Sequence, residues 1–281
     1  MAKVVNYYKK IGDFGKQKYF NPNQSKGALI HPFRVILSSP SGNYKTNTVL
    51  NIINTCGNFE KIILCAANGK TEPLYKFLKH KLGKKLIIID DIDDLPHLNS
   101  GVKVEKKKKT SSNKKKHSKE EKVEESDSES PESEEESEKS EEESDSDPEE
   151  SNLENSIGKK QRLVIFDDMI FEGKRVEKII NSWFARSRHN NYSVALTSQS
   201  WFKVPRTVRL NCNYAVFLKM NSLKEIKTVI GDLALGMKPD QLIEAYDFAT
   251  KEPGHFLLID NCDSNPEHRI RKDFTDAITI A

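Results

Sequence analysis

Residues Arg34–Leu50 read R-V-I-L-S-S-P-S-G-N-Y-K-T-N-T-V-L, and the fold turns on how this stretch is read. The apolar run Val35–Leu37 predicts a short strand. Small, turn-forming residues follow, then Lys45-Thr46, then Val49, Leu50, Ile52 and Ile53 at helical spacing. Strand, tight loop, Lys-Thr and helix is the order of a phosphate-binding loop, written G-x-x-x-x-G-K-[ST]. In such a loop the backbone N–H groups and the helix N-terminus cradle phosphates, the lysine neutralises them, and the hydroxyl ligates Mg2+. The candidate nucleotide-binding residues are therefore Ser39, Pro40, Ser41, Gly42, Asn43, Tyr44, Lys45 and Thr46. Ser39 stands where the first glycine belongs and Tyr44 where the second belongs. Tyr44 is the larger departure, because the backbone before the lysine passes close to the phosphates, where glycine fits most easily.

A nucleotide-hydrolysing site also needs a strand ending in carboxylates, to hold the cation and to polarise water. Leu86–Asp91 and Leu163–Asp168 both run from aliphatic residues into Asp-Asp. The second is preferred for its context. The strand after it, Tyr192–Thr197, runs into Ser198-Gln199, whereas Asp91 leads to Asp93, Asp94 and Pro96. This makes Asp167 and Asp168 the candidate acids.

Around these motifs the chain alternates strand and helix. Lys61–Cys65 reads as a buried strand, and Glu72–Leu82 as a helix with Thr71 as N-cap and Gly83 as its stop. Arg162–Asp168 is a strand and Lys174–Ser187 a helix; Thr207–Asn211 introduces a strand at Tyr214–Leu218. Helices at Leu223–Ile230 and Lys238–Thr250, a last strand at Gly254–Asp260 and a polar tail complete the chain. The alternation predicts an α/β fold of the P-loop NTPase class, a mostly parallel sheet with helices on both faces. The expected organisation is an N-terminal arm over 1–30, a first part of the domain over 31–101, an insert over 102–160, and a second part with the tail over 161–281.

The insert is read from charge. The net charge of +3 over 281 residues hides a segregation: Lys103–Lys119 carries +8, Glu120–Glu150 carries −16, and the remainder carries +11. A segment with so few apolar residues cannot offset its chain entropy by burial, so disorder is expected there. A solvated linker is the simpler reading; an acidic mimic of nucleic acid is the sharper one. The basic remainder suits a polyanionic partner as well as it suits solubility. The four cysteines, Cys56, Cys65, Cys212 and Cys262, form no C-x-x-C pair, which argues against zinc or a disulfide framework and for a reducing compartment. There is no apolar run of membrane-spanning length and no signal-peptide core, so no membrane partner is expected and the location is read as intracellular.

Taken in order, His31-Pro-Phe-Arg34, P-S-G-x-x-K-T-N-x-x-L, Asp167-Asp168, R-x-R-H-N-N from Arg186, the run L-T-S-Q-S-W-F-K-V-P-R-T-V-R-L-N-C-N and a closing H-F-L-L-I-D resemble the poxvirus-type DNA packaging ATPases. These occur in large DNA viruses and Maverick/Polinton elements, within the FtsK–HerA superfamily. The resemblance covers most of 31–99 and 161–260. It implies hydrolysis of ATP with Mg2+, coupled to translocation of double-stranded DNA by a homo-oligomeric ring that meets a capsid protein, in host cytoplasm or nucleus or with the virion. By match, Lys45 and Thr46 serve phosphate and Mg2+, Asp167 holds Mg2+, Asp168 activates water and Gln199 senses the γ-phosphate. Arg188 is the residue expected to act in trans, with Arg186, Arg206 and Arg209 as weaker candidates beside the bland reading of helix-end charge compensation. The family's G-P-S-G-x-G-K-T becomes S-P-S-G-N-Y-K-T here, and its R-G-R-H becomes Arg186-Ser-Arg-His189. The rival reading is a non-catalytic scaffold of the same fold, acting through basic surfaces and the acidic insert. A P-loop nucleotide kinase is disfavoured because no Arg-rich lid segment follows Asp168.

Overall fold

The computed structural model describes residues 29–56, 59–96, 98, 161–233 and 235–279. The N-terminal arm as far as residue 28 and the charged insert lie outside the described residues. Nine strands form one sheet: β1 Arg34–Ser38, β2 Lys61–Ala66, β3 Leu86–Ile89, β4 Arg162–Asp167, β5 Tyr192–Ser198, β6 Tyr214–Phe217, β7 Leu257–Asp260, β8 Ile270–Lys272 and β9 Asp276–Ala277. Their order is β3-β2-β4-β5-β1-β6-β7-β8-β9. The strands from β3 to β6 are parallel, and β7, β8 and β9 are added antiparallel.

The continuous aliphatic runs of the parallel strands are covered on both faces, as their composition requires. On one face, Val35, Leu37, Leu64 and Ile165 pack with Val49 and Ile52 of α1 (Lys45–Cys56) and with Tyr75 and Leu78 of α2 (Pro73–Leu82). On the other, Ile36, Phe166 and Leu196 pack with Trp183 and Phe184 of α3 (Lys174–Arg186) and Val208 of α4 (Arg206–Leu210). Ile226 of α5 (Leu223–Asp232) and Tyr246 of α6 (Pro239–Ala249) complete that layer. The expected P-loop-type α/β fold, with a mostly parallel sheet between helical layers, is the observed one.

Several local expectations change. The N-cap of α2 is Glu72, with Pro73 in the first turn; Thr71 instead donates its hydroxyl to the Asn68 carbonyl. Residues Arg206–Leu210 form a short helix, not an irregular lead-in. The segment after Asn261 is not a loose tail: Ile270 returns beside β7, and a buried ion pair of Asp260 with Arg271 at 2.6 Å pins the return. His31, which opens the first of the quoted motifs, is a core residue. Its ring is buried, bridging Ser193 Oγ at 3.0 Å and the Cys56 carbonyl at 2.9 Å, and burial holds its pKa below the usual histidine value.

Strand order decides where a ligand is held. The connection from β1 passes through α1 on one face of the sheet and that from β5 through α4 on the other, so the chain parts to opposite faces at the carboxyl ends of this neighbouring pair. Such a switch point leaves a crevice outside the carboxyl ends of the strands.

Candidate nucleotide site

That crevice is a cavity of about 660 Å3, lined by the loop from Ser41 to Asn47, by Ala66–Asn68 after β2, by Glu72, Leu74 and Tyr75, and by Asp167, Asp168 and Gln199. The loop connects β1 to the N-terminus of α1, a twelve-residue helix whose first N–H groups and dipole face the cavity end. Gly42 has a φ of +81°, and a Cβ there would meet nothing. Tyr44 has a φ of +59°, so a tyrosine adopts the left-handed backbone that glycine would otherwise supply. Its side chain is 51 % exposed and lies against Gly254, whose would-be Cβ comes 3.9 Å from the Tyr44 ring. The Tyr44 carbonyl receives the Thr48 amide at 2.9 Å, so the helix starts normally despite the substitution. Ser39 is buried: its amide donates to the Ser198 carbonyl at 3.1 Å, and its hydroxyl reaches the carbonyls of Pro40 and Asn43 at 3.2 and 3.3 Å. Asn43 ties the loop to the end of β6 through the Lys219 carbonyl at 2.9 Å.

Lys45 is 7 % exposed and turns back onto its own loop, donating to the carbonyls of Ser39 at 2.7 Å and Pro40 at 3.1 Å. Its ammonium lies 3.9 Å from Asp168 Oδ2. Burial lowers its pKa, while Asp168 and then Asp167 act in the opposite direction.

The carboxylates are set by the strand register. Thr197 of β5 pairs with Leu37 of β1 on one side and with Asp167 of β4 on the other, so the three lie in one row across the sheet. The Thr197 hydroxyl donates to Asp167 Oδ1 at 2.6 Å and accepts from the Asp168 amide at 3.0 Å. Burial raises the Asp167 pKa above its ordinary value; the bond from Thr197, the nearby Tyr75 phenol and the Lys45 charge partly counter this. Asp168 adopts a left-handed backbone at φ +53°, which turns its side chain out of the strand. Asp168 Oδ2 accepts from Gln199 Nε2 at 3.3 Å, and its Oδ1 is buried with no hydrogen-bond partner. An orphaned carboxylate oxygen beside a buried lysine at a helix N-terminus fits a phosphate, a hydrated cation and an attacking water. Among the described residues, no group of three or more His, Cys, Asp or Glu converges on one point. A cation here would be held by few protein ligands and by phosphate oxygens, which is Mg2+ chemistry.

The structure thus brings Ser41, Gly42, Asn43, Tyr44, Lys45, Thr46, Asp167, Asp168 and Gln199 to one cavity, with Ser39 and Pro40 as the receivers of the lysine. Asp90 and Asp91 follow β3 at the sheet edge, and neither lines the cavity. Arg188 is not brought to it. It lies in the 3-10 turn Ser187–Asn190 before β5, at the strand end opposite Gln199, roughly 20 Å away at about 3.3 Å per residue. Arg186 and Arg206 are exposed. Arg209, largely but not fully covered, pairs with Asp232, which also accepts from Trp201 Nε1 at 2.9 Å, so its role is to tie α4 to α5. Sequence reasoning missed Thr197 and Tyr75. Thr197 was legible only as a polar residue at the end of an apolar strand, and Tyr75 only as a position within the helix Glu72–Leu82.

The chain matches no protein-family model and no curated protein. Its structural neighbours include viral genome packaging NTPases. The NTPase B204 from Sulfolobus turreted icosahedral virus 2, in complex with sulfate, is similar with a TM-score of 0.47 at 11 % identity, over 91 % of this chain and 99 % of that one. The cytoplasmic domain of the Type VII secretion ATPase EccC from Thermomonospora curvata has a TM-score of 0.45 at 12 % identity, over 88 % of this chain and 25 % of that one. The pCW3 conjugation coupling protein TcpA, in monomer form with ATPγS, has a TM-score of 0.45 at 12 % identity, over 88 % of this chain and 61 % of that one.

Proposed function

We propose that this chain is a Mg2+-dependent ATPase of the DNA-packaging motor type, working as a homo-oligomeric ring that moves double-stranded DNA toward a capsid protein. The observation that carries the ATPase reading is the convergence of Lys45, Thr46, Asp167, Asp168 and Gln199 on one cavity from the ends of three adjacent strands. The DNA partner, the ring and the capsid rest on the motif resemblance and on the basic charge of the chain outside the insert.

The chain's own groups have defined tasks in this reading. Lys45 leaves the Ser39 and Pro40 carbonyls for phosphate oxygens, and the loop amides and the α1 N-terminus receive the remaining charge. That move also removes the ammonium from Asp168, whose carboxylate then takes a proton from the attacking water. Gln199, bonded to the same carboxylate, orients that water. Thr46 and Asp167 would hold Mg2+, which when bound supplies Lewis-acid stabilisation of phosphate charge. Arg188 acts on a neighbouring subunit's nucleotide or on DNA phosphate.

The test is Mg·ATP turnover with and without double-stranded DNA, on wild type, Lys45→Ala and Asp168→Asn. The expected result is DNA-stimulated hydrolysis lost in both variants, with nucleotide binding lost only in Lys45→Ala. A wild type that neither binds nor hydrolyses millimolar ATP overturns the reading. That result would favour a scaffold of the same fold, for which the tyrosine at position 44 is the specific argument.

A further inference from the structure

One buried polar group beside the cavity is not used in the mechanism above. Tyr75 stands in the first turns of α2, is 1 % exposed and forms part of the cavity wall. Its hydroxyl makes no hydrogen bond of acceptable geometry. Phenylalanine would fill the same volume without burying an unsatisfied oxygen, and such an oxygen is costly to bury.

The direction in which the phenol points is informative. Asp167 and Thr46 line the same cavity wall and are polar neighbours of the phenol, an acceptor and a donor within its surroundings. These are the two side chains that would ligate a divalent cation. A threonine hydroxyl that ligates through its lone pair must send its proton to another acceptor. A carboxylate that ligates through one oxygen must have the other held. With a cation in place, a single phenolic O–H would answer both needs, accepting from Thr46 and donating to Asp167. Thr197 grips Asp167 from the β5 side at 2.6 Å, and Tyr75 approaches it from α2.

We propose that Tyr75 is a positioning residue for the cation, holding Asp167 and Thr46 in register through its hydroxyl. The proposal rests on the ATPase reading and adds to it a group on α2, outside the loop and strand ends that carry the motifs. Groups one bond removed from a metal orient its ligands, and their loss typically weakens metal affinity about tenfold or more.

The experiment follows binding of a fluorescent ATP analogue to the full chain across Mg2+ concentrations and in EDTA, together with the melting temperature, for wild type, Tyr75→Phe and Lys45→Ala. For Tyr75→Phe the Mg2+ concentration at half-maximal binding should rise about tenfold. Its affinity for the analogue in EDTA should change far less than its affinity with Mg2+, and its melting temperature should equal or exceed wild type. An unchanged Mg2+ dependence overturns the proposal, whether the variant melts at, above or below wild type, since the hydroxyl then serves structure alone. If wild type binds and Lys45→Ala does not, that failure belongs to Tyr75 only. If wild type shows no binding at any Mg2+ concentration, the ATPase reading fails and this proposal with it.

Discussion

Thr197 donates its hydroxyl to Asp167 at 2.6 Å while accepting the amide of the next residue, Asp168, so one side chain sets both acids. Replacing Thr197 with valine keeps the volume but leaves a buried carboxylate and an amide each short of a partner. Thr197→Val should lose about 2 kcal/mol of stability in denaturant titration, and Thr197→Ser should recover most of it.

Asp167 exchanges stability for function. Because burial raises its pKa, the folded protein holds this proton more tightly than the unfolded chain does. This group's contribution is therefore most favourable below the ordinary carboxylate pKa and declines as pH rises through the folded value. Asp167→Asn removes the buried charge and keeps an acceptor for Thr197. It should raise the melting temperature in EDTA at neutral pH, by about 2–4 °C per kcal/mol relieved, while abolishing any gain in thermal stability from Mg·ATP.

The left-handed backbone of Tyr44 already supplies the conformation that glycine would give. Tyr44→Gly therefore relieves strain of about 1–2 kcal/mol but adds unfolded-state entropy worth about 0.5–1 kcal/mol. The net change in stability should be under about 1 kcal/mol, and ATP affinity should stay within about threefold by equilibrium binding, a change of less than about 0.7 kcal/mol. A gain of tenfold or more would identify the tyrosine ring, rather than the loop path, as an obstruction.

Arg209 and Asp232 are 12 % and 11 % exposed and form an ion pair beside Trp201. Arg209→Leu strands the carboxylate and should cost about 3–5 kcal/mol. Arg188→Ala and Arg206→Ala, at exposed positions, should change stability by less than about 0.5 kcal/mol. An ATPase defect in Arg188→Ala that is restored by mixing with an Asp168→Asn subunit would place Arg188 in trans.

Legibility in the sequence followed sequence distance. The loop, β4 and Gln199 were readable because each is a compact local pattern: an aliphatic run with a polar exit, or a Lys-Thr before a helix. Strand order was not readable, since it is fixed by pairings such as Ser38 with Ser198, 160 positions apart. The strands Ile270–Lys272 and Asp276–Ala277 are too short and too polar to alternate visibly, and they exist because Asp260 and Arg271 pin them. Arg209 looked like a free cation because its partner sits 23 residues on. Tyr75 and Leu78 form the buried face of α2, and nothing in that spacing marks the Tyr75 hydroxyl as part of the cavity wall.

Because β5 separates β1 from β4, the gap between the phosphate loop and the acids is two interstrand spacings, or about 10 Å. Backbone hydrogen bonds gauge that width, so substitutions in surface loops leave it alone. The jaw of the site is a fixed caliper. In the ATPase reading proposed above, a stroke would come from what enters between its arms, Lys45, Gln199 and the segments attached to them, and not from the arms moving apart.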